Sequence, residues 1–291
     1  MRWQPLKKTI AMIRFVVVVA AFVALTLLLL PFQLLAMRFD LRLQRIIPQL
    51  YHRALCRLIG VRIRQVGQRS ADAPALILSN HVSWLDICVI GALGPVVFVS
   101  KSEVARWPVF GWLSRLQRTV FIDRQARHRT GAATQEIGDR LVGGDAVVLF
   151  AEGTSSDGVR ILPFRSALIG AVHHALGAST QHNAITVQPL SLAYVRFAGL
   201  PVGRALRERV AWYGDADLMP HLMGVLSAGA IDVTVSWGDA VAHDVSADRK
   251  AIARQAEAEV RRMTGAALRA APPALPAPAT EKLPLPWPQP A

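Results

Sequence analysis

The sequence predicts an α/β domain, a mixed and mainly parallel sheet flanked by helices, with an N-terminal membrane helix element in front of it. Three observations carry that expectation. Short β-like runs alternate with helical stretches, a nearly unbroken apolar run lies near the amino terminus, and polar residues gather where two of the β-like runs end. With 291 residues, 52% of them hydrophobic, the chain can bury one sizeable core and still carry a membrane element.

The apolar run covers 15–32 and is long enough to cross or enter a bilayer. Arg2, Lys7, Lys8 and Arg14 precede it and Arg38, Arg42 and Arg45 follow, so flanking charge does not choose an orientation. No small-residue cleavage pattern follows it, which favours a retained anchor over a signal peptide. A single span and a hairpin lodged in one leaflet both fit. Over 40–59, Leu41, Leu43, Ile46, Ile47, Leu50, Leu55 and Leu58 interleave with arginines, predicting an amphipathic helix. Headgroup layer and domain surface are equally good beds for it.

Strands are expected over 61–66, 75–78, 96–99, 120–122, 146–150, 186–193 and 231–237. Helices are expected over 84–91, 128–142, 164–176, 218–226 and 245–270. The domain reading is therefore a membrane anchor and interfacial helix over 1–60, a catalytic-size domain over 61–270 and a Pro-rich extended tail over 271–291. In such a sheet the ligand site lies beyond the carboxyl ends of the strands.

A net charge of +13 points to anionic partners: a membrane lipid surface, an acidic carrier protein or nucleic acid. Nucleic acid is the weakest of these, because no zinc-finger, RNP or basic-zipper pattern appears. Cys56 and Cys88 lack C-x-x-C spacing, which suggests neither a disulfide framework nor a zinc site and fits a reducing compartment. His173 and His174 show no metal-ligand spacing. No metal and no resident cofactor are expected.

The stretch Asn80-His-Val-Ser-Trp-Leu-Asp86 sits where the 75–78 strand ends. Ser83 and Asp86 read as a capping box, the serine capping the next helix and the carboxylate reaching back to free amides. Positions five apart on one helix diverge by about 140°, so His81 and Asp86 meet only if a loop separates them. A carboxylate on one imidazole nitrogen fixes the tautomer and makes the other nitrogen a general base. No G-x-S-x-G elbow, phosphate-binding glycine loop or H-E-x-x-H helix accompanies it. After the 146–150 strand comes Ala-Glu-Gly-Thr-Ser-Ser-Asp-Gly, a turn with exposed amides, a hydroxyl and a carboxylate.

Taken together, the segments resemble the lysophospholipid acyltransferases related to 1-acylglycerol-3-phosphate acyltransferase. Asn80 to Asp86 matches that family's Asn-His-x-x-x-x-Asp block; Lys101-Ser-Glu-Val104, Pro108-Val-Phe-Gly111 and Val120-Phe-Ile-Asp-Arg124 resemble its second. Phe150-Ala-Glu-Gly-Thr154 resembles the third, normally Phe-Pro-Glu-Gly-Thr-Arg, and Val187-Gln-Pro-Leu190 the fourth. The resemblance implies the glycerolipid acyltransferase fold. It also implies acyl transfer from an acyl carrier protein or coenzyme A thioester, as co-substrate, to a lysolipid hydroxyl at the inner membrane, with the site on the cytoplasmic side. His81 would be the base and Asp86 its orienter, with Asn80, Ser83, Arg124, Glu152, Gly153, Thr154, Arg160 and Arg165 near the acceptor.

Where the family commonly has arginine after Glu-Gly-Thr, this chain has Ser155. Arg124, Arg160 or Arg165 would supply the charge if the acceptor carries phosphate. Otherwise the acceptor lacks phosphate, and the string from Glu152 through Leu168 is similar to the branch that acylates lyso-ornithine lipid. Asp157 would then face an ornithine ammonium, or simply build a turn. The favoured expectation is the ornithine-lipid branch, with 1-acylglycerol-3-phosphate acylation as the alternative. A non-catalytic lipid-binding protein and a thioesterase are rivals of other kinds. The run Arg106-Trp-Pro-Val-Phe-Gly-Trp-Leu113 fits an acyl channel, an interfacial contact or ordinary core.

Overall fold

The computed structural model describes residues 3–72, 74–123, 130–171, 176–177, 184–244 and 246–270. Arg124, His173, His174 and the Pro-rich segment 271–291 lie outside the described residues.

Two helices open the chain, α1 (Trp3–Arg38) and α2 (Leu43–Ile59). Val, Ala and Leu make up half of α1, and Ile, Met and Phe add to them, so from Phe15 onward it is apolar all round. Its outer face exposes Ile13, Val16, Val17, Leu27, Leu28 and Phe32, an unusual display that suits lipid and marks this helix for membrane association. The inner face is tied to the domain along its length. Arg14 donates to the Leu226 and Ile59 carbonyls at 3.1 and 2.7 Å, Thr26 Oγ1 lies 2.8 Å from Tyr51 Oη, and Gln33 donates to the Leu116 carbonyl at 2.7 Å. From Arg14 to Gln33 is about 28 Å of helix.

The strands are β1 (Val61–Val66), β2 (Ala75–Ser79), β3 (Val97–Lys101), β4 (Val120–Ile122), β5 (Ala146–Phe150), β6 (Ile185–Phe197), β7 (Leu200–Pro201), β8 (Ile231–Trp237) and β9 (Val241–His243). Among the described residues they form one sheet in the order β1-β8-β6-β2-β5-β3-β4, with β7 and β9 also paired to β6. Pairings from β6 through β2, β5 and β3 to β4 are parallel, whereas β8 runs antiparallel to β6. β2 is buried at every position, as a central parallel strand covered on both faces must be.

Helices α3 (Leu85–Leu93), α4 (Phe110–Leu116), α5 (Thr130–Val142), α6 (Leu218–Ala228) and α7 (Arg249–Arg269) accompany the sheet, with a single helical turn at Arg207–Val210. Two apolar layers cover the sheet. Leu55 and Ile59 of α2, Val89 and Ile90 of α3 and Val225 of α6 fill one, with Phe15, Val18 and Phe22 of α1 against it. Ile137 and Leu141 of α5 with Ile252, Ala256 and Val260 of α7 fill the other.

The strands expected from sequence all form, and two helix expectations need correction. Phe164 to Ala167 are not helical; a short 3-10 turn, Leu168–Gly170, follows, and among the described residues of the expected span Ala171 and Leu176 are helical. The reason is tertiary: the Phe164 N–H donates to Glu257 Oε2 at 3.0 Å and the Arg165 N–H to the Ala151 carbonyl at 2.8 Å, so these amides serve other elements. The last helix begins at Arg249, because Asp248 caps it by accepting from the Lys250 N–H.

Candidate active site at the ends of β2 and β5

β2 and β5 are parallel neighbours with Ser79 opposite Phe150, so the segments leaving them emerge side by side. The Ala151 N–H donates to the Ser79 carbonyl at 3.0 Å, which holds the two exits together. Asn80 continues β2 by proxy: its Nδ2 donates to the Leu192 carbonyl at 3.0 Å and its Oδ1 accepts from the Leu192 N–H at 2.8 Å. The side chain is fully buried and faces β6, so it frames the site from behind.

His81 is clamped through its backbone. Its N–H donates to Glu152 Oε1 at 3.0 Å and its carbonyl accepts from the Ser156 N–H at 2.8 Å. The ring stacks on Phe150, with centroids 4.1 Å apart and planes 19° from parallel. Nδ1 lies 2.8 Å from Asp86 Oδ2, and the side chain keeps 20% of its surface exposed. The loop between them lets residues five apart meet, as the sequence requires.

Asp86 sits in the first turn of α3 with no exposure at all. Oδ2 also accepts from the Val82 N–H at 2.7 Å and the Ser83 N–H at 3.0 Å, while Oδ1 accepts from the Tyr194 hydroxyl at 2.7 Å. Four donors and the amino end of a helix compensate one buried negative charge. An ionised Asp86 accepts from Nδ1–H, which assigns the lone pair to Nε2. Among the described residues Nε2 has no protein hydrogen-bond partner.

The capping-box expectation holds by half. Asp86 reaches back to the Ser83 amide, but the Ser83 hydroxyl caps nothing; it is buried without a partner, and Trp84 occupies the cap position. The Ser83 and Asn80 side chains are both fully buried. Glu152 is likewise interior, 2% exposed, with Oε2 accepting from the Leu162 N–H at 3.1 Å. Burial pushes its carboxyl above the usual range, and the His81 and Leu162 amides work against that rise. It is a strut joining the two motif loops.

Gly153 takes φ +77°, and Gly158 φ +71°. A Cβ on Gly158 would stand 2.9 Å from both methyl groups of Val82, so this turn closes only around glycine. Thr154, Arg160 and Arg165 lie exposed on the same loop. Asp157 builds the turn, its Oδ1 accepting from the Val159 and Arg160 amides at 2.8 and 3.1 Å. From the aromatic run, Trp107 meets Trp212 edge to face with centroids 6.2 Å apart, and the Trp212 N–H donates to the Val82 carbonyl at 2.9 Å. Trp107 therefore adjoins the wall of the site.

Tyr194, Phe150 and Ser156 are the contacts that sequence reading passed over. For Tyr194 a signal existed: Leu190, Leu192 and Tyr194 alternate along β6 and share one apolar layer.

A family model described as Acyltransferase matches residues 60–193. The chain is 49% identical to the lyso-ornithine lipid O-acyltransferase of Brucella abortus, over 89% of this chain and 97% of that protein. It is 43% identical to the Rhizobium meliloti protein of the same name, over 85% of this chain and 84% of that one. The solved 1-acyl-sn-glycerophosphate acyltransferase of Thermotoga maritima superposes with a TM-score of 0.58 at 18% identity, covering 90% of this chain and 99% of that one.

Proposed function

This chain belongs to the acyltransferase family, and from that premise we propose that it is a membrane-bound O-acyltransferase moving a fatty acyl group from a thioester to the hydroxyl of lyso-ornithine lipid. The two bacterial relatives named for that reaction support the acceptor. Ser155 supports it too, since the acceptor carries no phosphate for an arginine fork to grip.

The observation that carries the mechanism is the 2.8 Å contact between His81 Nδ1 and Asp86 Oδ2. His81 Nε2 takes the acceptor hydroxyl proton as that oxygen attacks the thioester carbonyl. Asp86 stays ionised and stabilises the imidazolium. When the tetrahedral centre collapses, the carbon–sulfur bond breaks, and the thiolate recovers the proton from Nε2–H. The ester and a free thiol leave, and the ring is neutral again. The donor is already activated, so no enzyme nucleophile is needed, and general-base assistance contributes about 10²- to 10⁴-fold.

The donor is an acyl carrier protein or coenzyme A thioester, for which the basic surface suits an anionic carrier. α1 anchors the domain by lying against it, its apolar outer face in one leaflet, with the reaction on the cytoplasmic side. The test is to supply purified protein in lipid vesicles with acyl carrier thioester and either lyso-ornithine lipid or lysophosphatidate. Acylation of the ornithine lipid alone, abolished in His81→Ala, is expected. Acylation of lysophosphatidate alone overturns the acceptor, and full turnover in His81→Ala overturns the mechanism. Fatty acid released at the same rate without any acceptor would instead mark a thioesterase.

A further inference from the structure

Tyr194 lies on the central strand β6, 1% exposed, and its hydroxyl is 2.7 Å from Asp86 Oδ1. It is the one side-chain hydroxyl among the described residues that touches this carboxylate. The strand is shaped to deliver it. Leu190, Leu192 and Tyr194 point into the layer beneath α3, and the register against β8 shifts between Tyr194 and Arg196. Past that bulge the parity changes, and Phe197 enters the same layer. The irregularity thus falls immediately after the tyrosine.

We propose that Tyr194 is a positioning residue for acyl transfer, acting on His81 through Asp86. This inference rests on the reading of His81 as the base. Its role is twofold. By holding Oδ1, the hydroxyl fixes the rotation of the carboxylate so that Oδ2 faces Nδ1. By donating to the anion, it also draws charge away from the oxygen that faces the ring, and so moderates how strongly Asp86 holds the imidazolium. A base held too tightly in its protonated form does not accept a proton at working pH.

The tyrosine itself remains a neutral donor. Burial and the adjoining Asp86 charge both raise its hydroxyl well above the ordinary value. Among the described residues, the other ionisable groups that act on the dyad or on Tyr194 are Glu152 at the end of β5, Cys88 on α3 and Cys56 on α2. Both thiols are buried and pushed up, so they stay neutral, and Glu152 is common to wild type and variant.

The experiment compares wild type, Tyr194→Phe and protein carrying 3-fluorotyrosine at position 194, each full length in vesicles. Phenylalanine keeps the ring and removes the donor; fluorotyrosine keeps the shape and strengthens the donor. In Tyr194→Phe, kcat should fall by about tenfold, as loss of one hydrogen bond to a charged group implies, with KM for both substrates little changed. The acidic limb of kcat/KM should move to higher pH in Tyr194→Phe and to lower pH with fluorotyrosine. Where Tyr194→Phe folds poorly, the fluorotyrosine protein decides alone. Limbs that coincide in all proteins, or activity that only follows the folded fraction, overturn the proposal while leaving His81 as base. Turnover by His81→Ala is the separate result that removes the base itself.

Discussion

Asp86 and Glu152 follow adjacent parallel strands, both are buried, and both accept main-chain hydrogen bonds beside His81. They differ in what else they hold. Glu152 joins the backbone amides of His81 and Leu162 and the Ser156 hydroxyl, none of which changes protonation, and so ties one loop to the next. Asp86 adds an imidazole nitrogen and a phenol to its amides, which couples its charge to a group that changes protonation. Two acids of like chemistry and like burial are thus divided between architecture and reaction by the side chains that reach them.

The division is broken most severely at Asp86. Asp86→Asn keeps size and burial but offers Nδ1 an amide, so the ring loses its fixed tautomer and its counter-charge. A fall in kcat of about 10³- to 10⁴-fold is expected, with KM little changed. Steady-state kinetics alongside circular dichroism checks this; a folded Asp86→Asn protein within tenfold of wild type would make Asp86 another strut.

Glu152→Gln should act in the opposite proportion. One amide acceptor survives and one buried N–H is left facing an NH₂ group, at a cost of about 1–3 kcal/mol. Tm should drop by about 2–10 °C, while kcat falls by about tenfold or less through looser placement of His81. The pH dependence sharpens the point. Burial raises the folded-state value of Glu152 above the unfolded one, so the folded protein binds more protons in that window. Its contribution to stability is therefore full in acid and declines as pH rises through the raised value. The Tm gap between wild type and Glu152→Gln should narrow from acid towards neutral pH. A widening gap in thermal melts would show that Glu152 is held ionised.

Sequence disclosed one of these roles better than the other. The β-like runs were legible because central strands must be continuously apolar, and His81 with Asp86 because their spacing matches a recognisable block. The inward turn of Asn80 and Glu152 was not legible, since a polar residue at a strand end serves equally well facing a ligand or bracing a neighbour. Nothing local distinguishes the two. Phe164 to Ala167 misled for a related reason: their pattern suits a helix, but Ala151 and Glu257 claim the amides from elsewhere in the fold. Arg14 shows the same limit, a charge beside an apolar run that serves the carbonyl ends of two helices.

The mildest test bears on the acceptor, at Ser155, on the loop that Glu152 braces. Ser155 is half-buried and the neighbouring Thr154 exposed. If the missing guanidinium reflects an acceptor without phosphate, Ser155→Arg should restore a fork for a phosphate monoester and leave the chemistry at His81 intact. The ratio of kcat/KM for lysophosphatidate to that for lyso-ornithine lipid should then rise by about tenfold or less, while the rate with lyso-ornithine lipid stays near wild type. Competition between the two acceptors in the same vesicles reads that ratio directly. A ratio unchanged by the substitution would mean that specificity is set away from this loop, and Ser155 would then carry no information about the acceptor.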